Sequence, residues 1–228
     1  MYCPDKKGII ADVTQYINRF NGNIIYIDQY VDRLEKVFFM RVVVENNFSS
    51  NSFESFKNSF NQELGKAYKL KCDFFLEDQI PQLAVFVSKY EHCLYDILSQ
   101  YQSGKLTCKI HFVLSNHEKL KNIAEQFKIP FYHIPILKKN TEKAEAQQLK
   151  LLKKYKIDSI VLARYMQILS SNFVNMYPNQ IINIHHSFLP AFPGAKPYHS
   201  AFNRGVKIIG ATSHYVTDEL DGGPIIEQ

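Results

Sequence analysis

The chain has 228 residues, a hydrophobic fraction of 46% and a formal net charge of +5. That hydrophobic share excludes disorder as the default, and the length suits one large domain or two modest ones. The charge is mild and mixed, without a basic stripe, which excludes nucleic acid as the expected partner and leaves room for an anionic small ligand.

Cys3, Cys72, Cys93 and Cys108 show no CxxC pair and no metal-ligand spacing, so they read as reduced thiols of a cytosolic protein. No signal peptide is recognisable, and no apolar run reaches membrane-spanning length. The expectation is a cytoplasmic protein with no membrane partner.

From the start, Ile9, Ile10, Val13, Tyr16, Ile17 and Phe20 recur at helical spacing, and Asn21-Gly22-Asn23 ends that helix. Ile24 to Val31 and Val37 to Val44 read as strands around a turn at Asp32–Lys36. Asn46 to Ser52 reads as a polar loop. Phe53, Phe56, Phe60 and Leu64 mark an amphipathic helix, and Tyr68 to Leu76 a returning strand. The order is helix, strand, strand, helix, strand. It fits a ferredoxin-like α+β module over residues 1–78 whose first strand is largely missing. Pro4-Asp5-Lys6-Lys7-Gly8-Ile9-Ile10 resembles the strand-to-helix loop of ACT domains, small regulatory modules. The plainer reading is that Gly8 only opens a helix. The resemblance implies an amino-acid effector at this loop and edge-to-edge pairing, hence a homo-oligomer.

Glu77 to Gln82 reads as a connector. Beyond it strands and helices alternate over residues 83–228. Strands are expected at Leu83–Val87, Ile110–Leu114, Phe131–Ile134 and Ile160–Ala163. Helices are expected around Cys93–Leu98, Leu120–Phe127 and Thr141–Tyr155, with a helical turn near Ser170–Met176. This is the pattern of an open, doubly wound, mostly parallel α/β sheet, whose ligands bind beyond the carboxyl ends of the strands. The first strand-to-helix turn, Val87-Ser88-Lys89-Tyr90-Glu91-His92-Cys93, carries no glycine. Backbone amides are then poorly placed to cradle phosphate, and only Lys89 offers a point charge there.

Ile181 to His185 reads as a short buried strand, with Asn183 and His185 on one face. A second apolar strand, Ile208 to Val216, leads into Thr217-Asp218-Glu219-Leu220-Asp221-Gly222-Gly223-Pro224. Asp221 is expected to return to the first strand's end and meet His185. Asn183, His185 and Asp221 suit acyl transfer or hydrolysis at a carbonyl. The amide and a protonated imidazole can stabilise an oxyanion, and the carboxylate can help shuttle a proton. No Gly-x-Ser-x-Gly elbow is present. His185, His186, His199 and His214 lie near one another in sequence, but none forms a zinc-binding motif. His186 and His199 read as lining or bracing the pocket, and His214 as a strand histidine bonded inside. The plainer reading of His185 is a structural histidine.

Asn183-Ile184-His185-His186-Ser187-Phe188-Leu189-Pro190, Gly205–Thr212 and Leu220-Asp221-Gly222-Gly223-Pro224 resemble the signatures of folate-dependent formyl-group enzymes. The closest resemblance is to formyltetrahydrofolate deformylases. His186 stands where related transferases carry proline, an ACT-like module comes first, and the glycine-rich phosphate turn is missing. The resemblance implies hydrolysis of 10-formyltetrahydrofolate to tetrahydrofolate and formate, supplying formate for purine synthesis and balancing the one-carbon pool. Folate and water would be substrates, with no cofactor. It implies Asn183, His185 and Asp221 as the catalytic trio. It implies Val161 to Leu169 as the segment framing the folate pocket, with Arg164, Met166, Ile168 and Leu169 as its binding residues, Phe173, Val174 and His186 as pocket residues and Thr217 and Asp218 as the pterin-contacting loop. It also implies further strand and helix beyond Gln228. Two alternatives stand: a formyltransferase passing the group to an amine, and an inactive folate-binding regulator.

Overall fold

The computed structural model describes residues 1–45, 50–76, 80–137, 140–194 and 196–228. The chain divides into two compact units, residues 1–78 and 79–228. The first unit runs through β1 (Tyr2–Pro4), α1 (Ile9–Arg19), β2 (Asn23–Asp32), β3 (Val37–Glu45) and α2 (Ser50–Phe60). A wider helical turn at Asn61–Gly65 then leads into α3 (Lys66–Tyr68). Its sheet is antiparallel, in the order β1-β3-β2. The helical stripe of Ile9, Val13, Tyr16 and Ile17 is buried, as its spacing requires. It packs on Phe38 and Met40, which alternate along β3, and on Phe56, Phe60 and Leu64.

Two features differ from expectation. A short first strand is present: β1 pairs with β3 through Tyr2↔Phe39, Cys3↔Phe38 and Pro4↔Val37. The strand expected over Tyr68–Leu76 is not a ladder. Tyr68 ends α3, and Lys69 turns left-handed at φ 54°. Only an isolated bridge follows, with Tyr2 N–H donating to Lys71 O at 2.8 Å and Lys71 N–H to Tyr2 O at 2.9 Å. β1 is too short to offer more partners. Leu70, Cys72 and Phe74 still pack on the core, so the apolar alternation reports burial without a strand. Asn46–Ser49 of the expected loop and Glu77–Gln79 of the expected connector lie outside the described residues, and α2 begins at Ser50.

The second unit is the expected α/β alternation. It contains β4 (Gln82–Val87), α4 (His92–Gln102), β5 (Lys109–Ser115), a tight turn at Glu118–Leu120, α5 (Lys121–Gln126) and β6 (Phe131–His133). There follow α6 (Thr141–Tyr155), β7 (Ser159–Ala163), α7 (Ser171–Asn175), β8 (Ile181–His185), α8 (Pro197–Asn203), β9 (Thr212–Tyr215) and β10 (Ile225–Glu227). The sheet order is β10-β9-β8-β7-β4-β5-β6. β9 alone runs against the others, pairing antiparallel with β8 on one side and β10 on the other, and the remaining pairs are parallel. Strand order reverses at β4, whose neighbours are β5 and β7. The centre of the sheet is buried on both faces. Ala84 and Phe86 of β4 enter one apolar cluster, Val85 and Val87 the other.

The strand expected over Ile208–Val216 is only Thr212–Tyr215, and Ile208 is exposed. Gly210 explains the late start. A Cβ on it would stand 2.4 Å from Phe188 Cε1, so the backbone passes hard against that ring before joining the sheet. No helix among the described residues is long and apolar enough to cross a membrane.

Candidate active site

Register brings the site together. β8 pairs with β7 through Leu162↔Asn183 and with β9 through Asn183↔His214 and His185↔Thr212. Asn183 and His214 therefore lie directly opposite, with side chains on one face. The chain leaving β8 is held by its own polar groups. Ser187 Oγ–H donates to Phe192 O at 2.7 Å, Thr212 Oγ1–H to Ser187 O at 2.8 Å, and Leu189 N–H to Thr212 Oγ1 at 3.1 Å.

Asp221 returns from the loop after β9, as expected. Its backbone is left-handed at φ 56°. Two positions on, Gly223 has no room for a side chain, since a Cβ would fall 1.8 Å from Tyr215 O. Asp221 Oδ2 accepts from Gly194 N–H at 2.9 Å and lies 3.5 Å from His185 Nδ1. Its Oδ1 lies 3.7 Å from His214 Nε2, and the side chain is only 6% exposed.

Hydrogen bonding assigns the ring protons. His185 Nε2 is 2.9 Å from Phe192 O, which can only accept, so that nitrogen carries a proton. Nδ1 is left facing Asp221. His214 Nδ1 is 2.9 Å from Tyr215 O and carries a proton for the same reason. In the neutral ring its Nε2 then accepts from Asn183 Nδ2 at 3.1 Å. Among the described residues, nothing accepts the second amide proton of Asn183.

Asn183, His214 and Asp221 border an open cleft with about 500 Å³ of unfilled space, its solvent mouth included, while the buried His185 touches Asp221 and is not itself among the cleft's walls. Its walls include Ile168, Leu169, Asn183, Thr217, Asp218 and Asp221 from the sequence expectation. They also include Gln167 of the expected Val161–Leu169 segment, and His214, Glu219 and Leu220, which were not expected there. The signal for His214 is its place opposite Asn183, which only the β8–β9 register reveals.

Other expected pocket residues lie elsewhere. Phe173 and Val174 are buried in the sheet's core, where Leu169 and Val216 pack against their cluster. Those two line the cleft, and Phe173 and Val174 do not. Met166 is exposed and, like Arg164, is not among the cleft's walls. The Arg164 guanidinium instead lies 5.0 Å from the Tyr90 ring centre. His186 meets the Tyr198 ring edge to face, with ring centres 5.0 Å apart. Burial lowers its pKa below the ordinary histidine value, and Arg164 and His185 push the same way.

A buried carboxylate pins the loop behind the cleft. Glu145 on α6 accepts from Ser170 N–H at 2.8 Å and from Ser170 Oγ–H at 2.5 Å. Ser170 Oγ in turn caps α7 by accepting from Phe173 N–H at 3.2 Å.

A doubly wound sheet presenting an amide, two histidines and a carboxylate at one strand end defines a carbonyl-group transfer or hydrolysis enzyme. Comparison with known proteins narrows this. The Formyl transferase family profile matches residues 81–228, and the ACT domain profile matches residues 1–50. A formyltetrahydrofolate deformylase of Synechocystis is 50% identical over 99% of this chain and 79% of its own. One of Bacillus subtilis is 44% identical over 99% of this chain and 75% of its own. The crystal structure of a Pseudomonas syringae formyltetrahydrofolate deformylase superposes with a TM-score of 0.92 at 42% identity, covering 99% of this chain and 76% of that one. A glycinamide ribonucleotide transformylase from Symbiobacterium toebii is more distant, with a TM-score of 0.62 at 29% identity over 68% of this chain and 74% of its own. The chain belongs to the formyltetrahydrofolate deformylase family.

Proposed function

We propose that the chain hydrolyses 10-formyltetrahydrofolate to tetrahydrofolate and formate. The observation that carries this reading is the convergence of Asn183, His185 and Asp221 at the end of β8 beside an open cleft. Folate is the substrate, and the reaction needs no cofactor.

Water attacks the formyl carbon, and its proton passes to the Asp221–His185 pair. Asp221 accepts it, and His185 Nδ1 stands 3.5 Å away to hold it. Negative charge develops on the formyl oxygen. The free Asn183 N–H meets it as a donor whose amide is already held in place by His214. The bond from the formyl carbon to N10 then breaks, N10 takes a proton from the pair, and formate leaves with its remaining proton lost to solvent. Ile168, Leu169, Thr217 and Asp218 border the space for the pterin.

The transferase alternative is weaker at the β4–α4 turn. Ser88 to Glu91 offer no glycine to bring backbone amides up to a phosphate-bearing acceptor. The first unit adds regulation to the proposal: an amino-acid effector at the Asp5–Gly8 loop, in a homo-oligomeric cytoplasmic enzyme.

Asp221→Asn tests the chemistry. Turnover should fall at least about a hundredfold while folate binding stays within a few fold, since the amide keeps the shape and loses the base. Unimpaired hydrolysis would contradict the assignment.

A further inference from the structure

The fold places an unused cation beside the site. Strand order reverses between β4 and β7, and the crevice beyond their carboxyl ends is where open sheets of this kind bind ligands. β4 and β7 pair up to Val87↔Ala163, so Ser88 and Arg164 are the next residues out on either side. β7 also pairs with β8 through Leu162↔Asn183. Arg164 therefore leaves the sheet between the Ser88–Tyr90 turn and the strand end carrying His185 and His186.

Its side chain is incompletely satisfied there. Arg164 Nε is buried and has no hydrogen-bond acceptor among the described residues. Its guanidinium lies over the Tyr90 ring at 5.0 Å, so one face is covered by a π-cloud while the edge donors stay available. Among the described residues, no carboxylate lies within ion-pair distance of it. A buried N–H without an acceptor is costly in a folded chain. Arg164 is also held at φ 58°, a left-handed conformation that a side chain other than glycine adopts at a cost.

The proposed reaction makes an anion next door. Formate is released beside Asp221, a carboxylate that repels it. A planar carboxylate fits the guanidinium fork with two parallel N–H···O bonds.

We propose that Arg164, at the switch point between β4 and β7, is the docking point for the carboxylate product, formate, as it leaves the catalytic strand end. This rests on the deformylase reading and adds a second subsite to it, separate from the folate cleft, whose walls do not include Arg164. The neighbouring His186 contributes aromatic packing against Tyr198.

The test measures formate binding directly, by line broadening of carbon-13 formate on the folded enzyme, alongside formate inhibition of hydrolysis at constant ionic strength. The wild type should bind formate and be inhibited by it more strongly than by chloride or inorganic phosphate. Arg164→Met should weaken formate binding about tenfold or more, the loss of a charge-assisted pair, and by more than it changes KM for the folate. Arg164→Lys keeps the charge without the fork and should fall between the two. Equal formate binding in wild type and Arg164→Met overturns the proposal. So does a KM that rises in step with the formate constant, or tighter binding of phosphate than of formate. Absence of hydrolysis by the wild type would instead refute the deformylase reading, and the binding measurement stands without turnover.

Discussion

His214 Nε2 lies 3.1 Å from Asn183 Nδ2, across the register that sets the two residues directly opposite on β9 and β8. Because His214 Nδ1 donates to Tyr215 O, its Nε2 accepts, and this turns the amide nitrogen of Asn183, not its oxygen, toward β9. His214 thus positions the donor without itself needing to touch substrate. His214→Phe keeps the ring's bulk and removes the acceptor. It should lower kcat about tenfold to a thousandfold, up to the loss of an oxyanion donor, and change KM less. His214→Gln, which keeps an acceptor, should recover part of the loss. Steady-state kinetics of both variants decides it: equal activity in His214→Phe and wild type would mean that Asn183 holds its orientation without help.

The clamp between Glu145 and Ser170 makes a different prediction. Glu145 is 7% exposed and is satisfied by two donors of one residue. Removing it leaves Ser170 without its partner, and with it the anchor of the loop from Arg164 to Leu169 that supplies Ile168 and Leu169 to the cleft. Glu145→Ala should cost about 1–3 kcal/mol in urea unfolding and should raise KM more than it lowers kcat. A destabilised variant with unchanged KM would confine Glu145 to the fold.

Stability should fall on acidification. Burial lowers the pKa of His111, His117 and His186 in the folded chain, and neighbouring cations push the same way. The unfolded chain then binds protons more readily than the folded one. The contribution is complete above about pH 6.5, the ordinary histidine value, and is lost progressively below it. Thermal melting should drop as pH is lowered from about 7.5 to 5.5. Replacing His186 with Gln should flatten that slope, and an unchanged slope would remove His186 as a contributor.

How much of this was legible in the sequence follows from the range of each interaction. The run Ile181–His185 declares a buried strand, and a period of two already sets Asn183 and His185 on one face. The β/α alternation from Leu83 onward rests on short-range periodicity, and the sheet follows it. The partnership of His214 with Asn183 was hidden, because it depends on an antiparallel pairing across thirty-one residues. Tyr68–Leu76 has a strand's apolar alternation. What decides against a ladder is the left-handed turn at Lys69 and the three-residue length of β1, neither of which alternation reports. Phe173 and Val174 look like pocket residues by position, yet they are buried in the sheet's core and are not among the cleft's walls.

The most direct measurement is formate release from 10-formyltetrahydrofolate by the purified chain, with no amine acceptor added. The account predicts stoichiometric formate and tetrahydrofolate from the wild type. It predicts loss of both in His185→Ala, whose thermal melt shows it to be folded. Folate binding without formate release, or release that persists in a folded His185→Ala, would contradict hydrolysis at the end of β8.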